Sequence, residues 1–440
     1  MKDVNTPPGP KGKAVVGHLP DLKKNPLDFL TNCANTYGGI VYLSNMGLPT
    51  YLITDPQFVR NVLTSTTFAK PQHDLKKNRR LLGNGLIVNE GESWRTQRRF
   101  IQPFFHKKHV LGYFDIMLHY TKEMIGDYCK GEEINIYDDI LDLTLKIVTK
   151  CLFNTNIDEE TNTISQSLDT IMDYYYNANP LLEKLPLPNN LKYKKAIKKL
   201  DNIIYGIIQE KRTCHNHTND LLSSLIHAKD GHRNYMNPTQ IRDEVMTALI
   251  VGHDSTADAI TWILYLINTH ENIHSNVKTE LNRVLKGKDV SLSDLSNLKY
   301  MEMVILEGLR LYPPAWIISR QAGTNIELDG FKIEKNDTVL LSPWVSQRKA
   351  AHFSNPNDFK PDRWESDMTQ SKLKYIYFPF GEGQRKCIGK EFAMMEMKIM
   401  LTTILQRVEF DFLHKESIKP RPLMTLRPPK EYMDTIILKC

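Results

Sequence analysis

One cysteine lies in a loop whose other residues suit the binding of a flat, anionic ligand. The loop is residues 380–389, FGEGQRKCIG, and its cysteine is Cys387. Two glycines before the cysteine and Gly389 after it let the backbone bend and approach a ligand closely. A predicted helix follows, whose free amide groups favour a thiolate, and Arg385 supplies a cation for a carboxylate. The pattern predicts a thiolate ligand rather than a buried apolar cysteine or a nucleophile, which would need a neighbouring histidine base.

The same ten residues resemble the haem-binding loop of the cytochrome P450 superfamily, F-x-x-G-x-R-x-C-x-G, at every specified position. The resemblance, to soluble bacterial members in particular, implies that Cys387 is the axial ligand of a haem b iron. It also implies that Phe380, Arg385 and Gly389 contact this cofactor. In that family the cysteine thiolate donates electron density to the iron and promotes O–O cleavage.

Two more stretches resemble the residues with which the family binds the haem propionates. Trp94 and Arg98 match W-x-x-x-R, and their spacing places both side chains on one helix face. Arg320 follows a Pro-Pro-Ala-Trp segment and resembles the family's other propionate arginine, in a looser motif. Without the cysteine loop, an ordinary basic helix would explain the first match equally well.

Residues 251–256, VGHDST, resemble the oxygen-binding motif A-G-x-D-T-T of the family's long central helix. Small residues recur every four positions at Ala248, Gly252 and Thr256, which leaves room for O2 and substrate beside the iron. The resemblance makes Asp254 and the hydroxyls that follow it the predicted catalytic residues, because they can hold water and deliver protons.

The motif departs from the family pattern at two positions. Val251 replaces a small residue, and Ser255 stands where the family usually has its key threonine, although Thr256 follows. Serine can still donate and accept a proton, but its rotamer is less restricted. Which of the two hydroxyls works stays open, and the adjacent His253 receives no role.

A buried structural clamp is implied by a third resemblance. Glu307 and Arg310 are three residues apart on a predicted helix and can pair. Downstream, residues 356–364 follow the family pattern P-x-x-F-x-P-x-R-W, whose arginine, here Arg363, joins that pair. The role implied for these residues is structural, not catalytic.

The rest of the chain is predicted to be mainly α with small β-sheets, as in the cytochrome P450 fold with a long central helix over a buried haem. Residues 36–70 and 316–345 are β-rich, and a hairpin is predicted within residues 40–55. The longest helix begins at Asn237-Pro238 and reaches about His270, roughly 50 Å at 1.5 Å per residue. No repeat or linker divides residues 1–440, which we interpret as a single domain, and no pattern indicates a parallel sheet.

Composition excludes several classes of protein. The net charge of +6 is small for 440 residues, and the absence of a Lys/Arg tract argues against nucleic acid as a partner. The six cysteines form no C-x-x-C pattern, which fits a reducing compartment. No apolar run is long enough to cross a bilayer, so the prediction is a cytoplasmic protein without a membrane anchor.

In family terms, the substrate pocket draws on residues 72–88, 174–191, 315–318 and 424–425 and on the central helix. These segments are mostly apolar or aromatic, so the expected substrate is a hydrophobic small molecule such as a terpenoid, carotenoid or fatty acid. The chain carries no flavin or iron–sulfur segment. Electrons are therefore expected from a separate ferredoxin or flavodoxin with its reductase, steered by basic residues, namely Arg95, Arg99, Lys386 and Lys390.

The leading functional hypothesis is a haem-thiolate monooxygenase that inserts one oxygen atom from O2 into this substrate. One alternative is a haem-thiolate isomerase or peroxygenase, which needs no electron donor and usually lacks the acid–alcohol motif. The other is a haem-binding sensor without turnover, against which the extended apolar pocket argues.

Overall fold

The computed structural model describes residues 6–177, 185–213, 219–228, 236–365, 373–416 and 418–440. The chain forms two compact units. The first unit comprises Met1–Lys77 and Leu306–Cys387, and the second comprises Asn78–Ile305 and Ile388–Cys440. Helices predominate and the sheets are small, which confirms the predicted fold class. None of the described helices is both long and apolar enough to span a membrane.

The longer elements of the described residues are named in chain order. The α-helices are α1 Leu19–Lys24, α2 Pro26–Tyr37, α3 Pro56–Thr64, α4 Gln72–Leu82, α5 Gly91–Ile101, α6 Lys107–Val110, α7 Phe114–Gly126, α8 Ile136–Phe153, α9 Thr161–Asn177, α10 Pro188–Thr213, α11 Leu221–His227, α12 Pro238–Thr269, α13 Glu271–Leu285, α14 Lys299–Leu311, α15 Pro343–Ser346 and α16 Lys390–Arg407. The strands are β1 Ile40–Asn45, β2 Leu48–Ile53, β3 Phe68–Ala69, β4 Glu133–Asn135, β5 Ile318–Ala322, β6 Ile326–Leu328, β7 Phe331–Ile333, β8 Thr338–Leu341, β9 Glu409–Phe412, β10 Arg421–Pro422, β11 Leu426–Arg427 and β12 Asp434–Lys439.

The first unit contains a five-stranded sheet in the order β1-β2-β8-β5-β3. The hairpin predicted in residues 40–55 is β1–β2, with Met46 and Gly47 in its turn at positive φ angles of 51° and 80°. Pro49 lies in β2 opposite Ser44. One pairing, β2 with β8, is parallel and the other three are antiparallel, so the sheet is mixed and not a parallel sheet. Nearly 290 residues separate the two strands, and hydrophobic periodicity within either strand does not reveal its partner.

The second unit contains the predicted long helix, α12, whose 32 residues span about 50 Å. It begins where the sequence placed it, because Pro238 occupies its first position and the Asn237 side chain accepts a hydrogen bond from the Gln240 amide at 2.8 Å. The helix is buried on most of its surface and packs against α8, α10 and α16. The helix predicted after the cysteine loop is α16, which begins at Lys390 after the N-cap Gly389.

A buried carboxylate organises the chain of the first unit that leads to the cysteine loop. Glu307 of α14 accepts two hydrogen bonds from Arg310, at 2.8 and 2.9 Å. The same carboxylate accepts from Arg363 Nε and Trp364 Nε1, each at 2.9 Å, and from the Lys360 amide at 3.0 Å. Glu307 and Arg310 are completely buried. The implied clamp is therefore present as a fully hydrogen-bonded cluster.

The clamp also satisfies backbone groups of the coil. Arg310 donates to the carbonyls of Gln347 at 2.8 Å, Pro356 at 2.6 Å and Asp358 at 3.1 Å. The Gln347 side chain in turn accepts from the Phe378 amide at 3.0 Å. A continuous set of hydrogen bonds thus connects α14 with the residues that enter the cysteine loop.

Glu307→Gln should destabilise the protein by about 3–5 kcal/mol, because it leaves the guanidinium groups of Arg310 and Arg363 buried without a counter-charge. Lys332→Gln is the matched control, since Lys332 and Glu334 form an exposed pair, and it should change the free energy of unfolding by less than about 1 kcal/mol. Urea denaturation of the three proteins measures both values. Equal, small effects would show that the clamp is dispensable.

Candidate functional site

The cysteine loop in the first unit is a tight turn closed by backbone hydrogen bonds. The Cys387 amide donates to the Phe380 carbonyl at 2.8 Å. Gly381 and Gly383 have positive φ angles of 65° and 73°, which L-residues with a side chain rarely adopt. A Cβ at Gly383 would also lie 2.1 Å from the Leu63 carbonyl oxygen. The loop requires its glycines, and it presents the Cys387 side chain as an exposed group.

Strand β5 borders this loop and carries the predicted propionate arginine. A Cβ built at Gly381 would meet the Ile318 side chain of β5 at 3.9 Å. Arg320 is two residues further along the strand, and alternate residues of a strand share a face. Its guanidinium donates to the Ser319 carbonyl at 2.9 Å. Strand β5, which carries Arg320, therefore lies beside the loop that contains Arg385 and Cys387.

Helix α5 in the second unit holds the other predicted propionate residues together. The Arg98 guanidinium carbon lies 5.9 Å from the ring centroid of Trp94, which is buried. Gln97 donates to the Asn84 carbonyl at 2.9 Å and fixes the helix to the preceding loop. Trp94 and Arg98 therefore share one face and can bind a carboxylate as a pair.

A partly exposed strip runs along the middle of α12, between faces that are buried. It consists of Ala248, Val251, Gly252 and Ser255, with Val251 exposed to 36%. A Cβ at Gly252 would come within 2.8 Å of a Val148 methyl carbon, so this position has no room for a side chain on that flank. The strip fits a flat ligand and a small molecule lying against the helix.

The strip differs from the predicted small-residue face at its last member. Thr256 is buried at 4% exposure, whereas Ser255 is partly exposed. The reason is helical geometry: the residue seven positions after Ala248 returns to within about 20° of its direction, and the eighth is about 80° away. Thr256 instead faces the buried Glu396, whose pKa burial raises well above the usual value.

Asp254 is buried and fully engaged by two residues of the C-terminal segment. It pairs with the Arg427 guanidinium and accepts a hydrogen bond from the Thr425 hydroxyl at 2.7 Å. Burial alone would raise the pKa of Asp254, but Arg427, together with these hydrogen bonds, holds that pKa below its usual value. Asp254 is therefore ionised at neutral pH and readily gives up a proton that it binds.

Sequence reasoning did not identify Arg427 as a site residue, and it gave Thr425 a role other than binding Asp254. Thr425 was expected to line the substrate pocket in the turn 424–425, but its hydroxyl is committed to Asp254. Both partners are more than 170 residues away from Asp254, and no local motif indicates the pairing. Of the other predicted pocket segments, residues 178–184 of the stretch 174–191 lie outside the described residues.

The residues present fit a planar cofactor that carries an iron and carboxylates. An exposed cysteine at the end of a glycine-dependent turn can supply a single sulfur ligand, and Arg320 and Arg385 in the same unit can bind carboxylates. Within the second unit, Trp94 and Arg98 can bind a carboxylate as a pair, and the strip of α12 is partly exposed. Contact of these residues, and of Phe380 and Gly389, with the cofactor stays a prediction.

Arg427→Met should destabilise the protein by about 3–5 kcal/mol at pH 7.5, because the buried Asp254 carboxylate loses its partner. The loss should shrink at pH 5, where protonation can neutralise the unpaired carboxyl, and Asp254→Asn should rescue the variant. Arg421→Met, at an exposed pair with Glu431, is the control and should cost less than about 1 kcal/mol. Urea midpoints at the two pH values test this, and a loss independent of pH would contradict the pairing.

Comparison with known proteins finds matches along almost the whole chain. The sequence model described as Cytochrome P450 matches residues 7–435. Cyclooctatin synthase from Streptomyces melanosporofaciens is 32% identical over 95% of this chain and 92% of its own. Cyclooctat-9-en-7-ol 5-monooxygenase from the same organism is 32% identical, covering 90% and 88%, and pentalenene oxygenase from Streptomyces avermitilis is 29% identical, covering 96% and 95%. The chain therefore belongs to the cytochrome P450 family.

Proposed function

We propose that this cytochrome P450 inserts one oxygen atom from O2 into a terpenoid hydrocarbon or alcohol. It is a P450 monooxygenase with a haem-iron cofactor and a hydrophobic substrate, as its family and relatives show. The terpenoid class of the substrate is the part of this proposal that goes beyond the family assignment. It is supported by relatives whose names specify pentalenene and cyclooctat-9-en-7-ol, and by the apolar, small-residue strip of α12.

The observation that carries the oxygenase reaction is the Asp254 cluster next to the strip. When bound, the haem iron activates O2 with two electrons, a reaction that also consumes protons. Asp254 is fixed by Arg427 and Thr425, one residue before Ser255. Asp254 is ionised and held in place one residue before Ser255, and we assign this pair of residues to the proton transfers that accompany the reaction. An isomerase or a sensor has no need of such an arrangement.

Among the two candidate hydroxyls, the structure favours Ser255. Its Oγ lies on the partly exposed strip and donates to the Val251 carbonyl at 2.9 Å. Thr256 is buried, and its Oγ1 donates to the Gly252 carbonyl at 3.3 Å. We assign proton delivery to Ser255 and a packing role to Thr256.

The cofactor assignment is haem b, with Cys387 as the iron ligand. The turn that presents Cys387 holds the sulfur in one place, and Arg320, Arg385 and Arg98 provide cations for the propionates. We further propose that the electrons come from a ferredoxin or flavodoxin with its reductase. Exposed cations support this choice, namely Arg95, Arg99, Lys386 and Lys390. Cytoplasmic location and the single domain over residues 1–440 stay predictions.

The reduced protein with CO should show the Soret band at the long wavelength typical of thiolate-bound haem iron. Cys387→Ala should abolish that band, because it removes the sulfur ligand. Cys129→Ala, at another exposed cysteine, is the control and should leave the spectrum unchanged. Retention of the band in Cys387→Ala would contradict the assignment of Cys387 as the iron ligand.

Ser255→Ala should lower the fraction of consumed electrons recovered in product by about tenfold, with a matching rise in hydrogen peroxide, because proton delivery is lost. Thr256→Val should keep most of the coupling. Substrate-dependent O2 uptake, product and peroxide are measured with a surrogate ferredoxin system and a terpenoid chosen by its spin-state shift. The reverse ranking of the two variants would assign the working hydroxyl to Thr256, and substrate conversion without O2 uptake would overturn the oxygenase.

A further inference from the structure

We propose that Asp243 is a positioning residue for the cofactor, because it sets the direction of the Trp94–Arg98 pair. It acts through the backbone of Asn84 and the side chain of Gln97. The inference rests on the proposed binding of a haem propionate by that pair. Asp243 lies on α12 and the pair lies on α5, and both helices belong to the second unit.

The loop that precedes α5 lies directly on the first turns of α12. A Cβ at Gly83 would lie 2.0 Å from a carboxylate oxygen of Asp243. A Cβ at Gly85 would lie 2.0 Å from the Thr247 hydroxyl oxygen and 2.6 Å from the Asp243 carbonyl oxygen. Gly83 also has a positive φ of 53°. A side chain at either glycine would push the loop off the helix, so this close contact depends on both.

Two buried acidic side chains of α12 hold the backbone of this loop. Asp243 accepts a hydrogen bond from the Asn84 amide at 2.7 Å, and Glu244 accepts one from the Leu86 amide at 2.9 Å. The Arg242 guanidinium lies 3.0 Å from the Asp243 carboxylate and supplies its counter-charge. The bond from the Asn84 amide is therefore charge-assisted and belongs to the stronger class of hydrogen bonds.

The carbonyl of Asn84 continues the connection to α5. Gln97 Nε2 donates to it at 2.9 Å, which is the shortest of three side-chain amide bonds. Gln240 donates to the same oxygen at 3.2 Å and Asn89 at 3.3 Å. Asn84 is thus bound to Asp243 of α12 through its amide and to Gln97 of α5 through its carbonyl.

Gln97 occupies the position on α5 from which the direction of the pair can be set. With 3.6 residues per turn, it lies about 60° around the helix axis from Trp94 and about 100° from Arg98. A hydrogen bond that holds Gln97 therefore fixes the rotation of α5 about its axis. A guanidinium binds a carboxylate in a planar, two-pronged geometry, so the rotation decides whether Arg98 can bind well.

The choice of glutamine at position 97 supports a positioning role. The side chain is buried, and its Oε1 has no hydrogen-bond partner among the described residues. Burying an amide oxygen without a donor costs free energy, which a leucine of similar size would avoid. Packing alone would therefore favour leucine, whereas the bond from Nε2 to the Asn84 carbonyl requires the amide.

The first readout is the rate at which the haem-loaded protein transfers its cofactor to excess apomyoglobin. Asp243→Asn and Gln97→Leu should each release haem about tenfold faster, because a misdirected Arg98 loses a charge-assisted hydrogen bond. Asp201→Asn is the matched control, because Asp201 pairs with the same Arg242 from α10. It should release haem at the wild-type rate.

Gln97→Leu separates positioning from stability. Its midpoint of urea unfolding should match wild type, because the Asn84 carbonyl keeps its donors from Gln240 and Asn89. Combined with Arg98→Gln, it should release haem no faster than Arg98→Gln alone, because it acts through Arg98. Single effects that multiply to about 100-fold would show independent action and overturn the proposal. Faster release that only follows a lower urea midpoint would also overturn it.

The second readout is the resonance Raman spectrum, whose propionate bending bands report the hydrogen bonds of the propionates. These bands should shift in Asp243→Asn, Gln97→Leu and Arg98→Gln and keep the wild-type position in Asp201→Asn. Arg98→Gln separates the two levels of the argument. If it leaves haem release and the bands unchanged, the proposed propionate binding fails. If it changes both while Asp243→Asn matches wild type, only the positioning by Asp243 fails.

Discussion

The position of the cysteine loop in the first unit depends on one buried carboxylate, that of Glu307. Five donors surround it, from the side chains of Arg310, Arg363 and Trp364 and from the Lys360 amide. Burying a charge is tolerable only when its hydrogen bonds are complete, and here the arginines also satisfy carbonyls of the coil. The described part of the coil after α15 contains only short 3-10 helices, and side-chain hydrogen bonds hold it in place.

The second unit also buries charged groups, but there the carboxyls outnumber the guanidinium groups. Glu307 is one carboxyl with two guanidinium groups, whereas Asp254 and Asp169 are two carboxyls with one, that of Arg427. In the first case the surplus charge is positive, and the guanidinium groups also donate to backbone carbonyls. In the second case the surplus charge is negative, and burial raises the pKa of Asp169, the more exposed of the two acids.

The sequence predicted those features that depend on neighbours in the chain. The glycine-dependent turn before Cys387 and the start of α12 at Asn237 follow from local conformational preferences. Two pairings join residues that are far apart in the chain, namely β2 with β8 in parallel and Asp254 with Arg427. In neither case does the sequence around one partner indicate the other. Thr256 was expected on the small-residue face but is buried, because steps of four residues drift around a helix that turns every 3.6 residues.

The roles proposed for Asp254 and Ser255 of α12 follow from the hydrogen bonds that hold each side chain. Asp254 accepts from Arg427 and Thr425, so its carboxylate cannot rotate toward the exposed strip without breaking buried, charge-assisted hydrogen bonds. Ser255 is bound only to the carbonyl of Val251 in its own helix, a bond that a serine exchanges readily. The acid is therefore held by buried partners, whereas the hydroxyl is held only by its own helix. If Ser255 delivers the proton, as proposed, delivery depends on its rotamer, and a substrate that packs against Val251 would then affect the coupling as well as the binding.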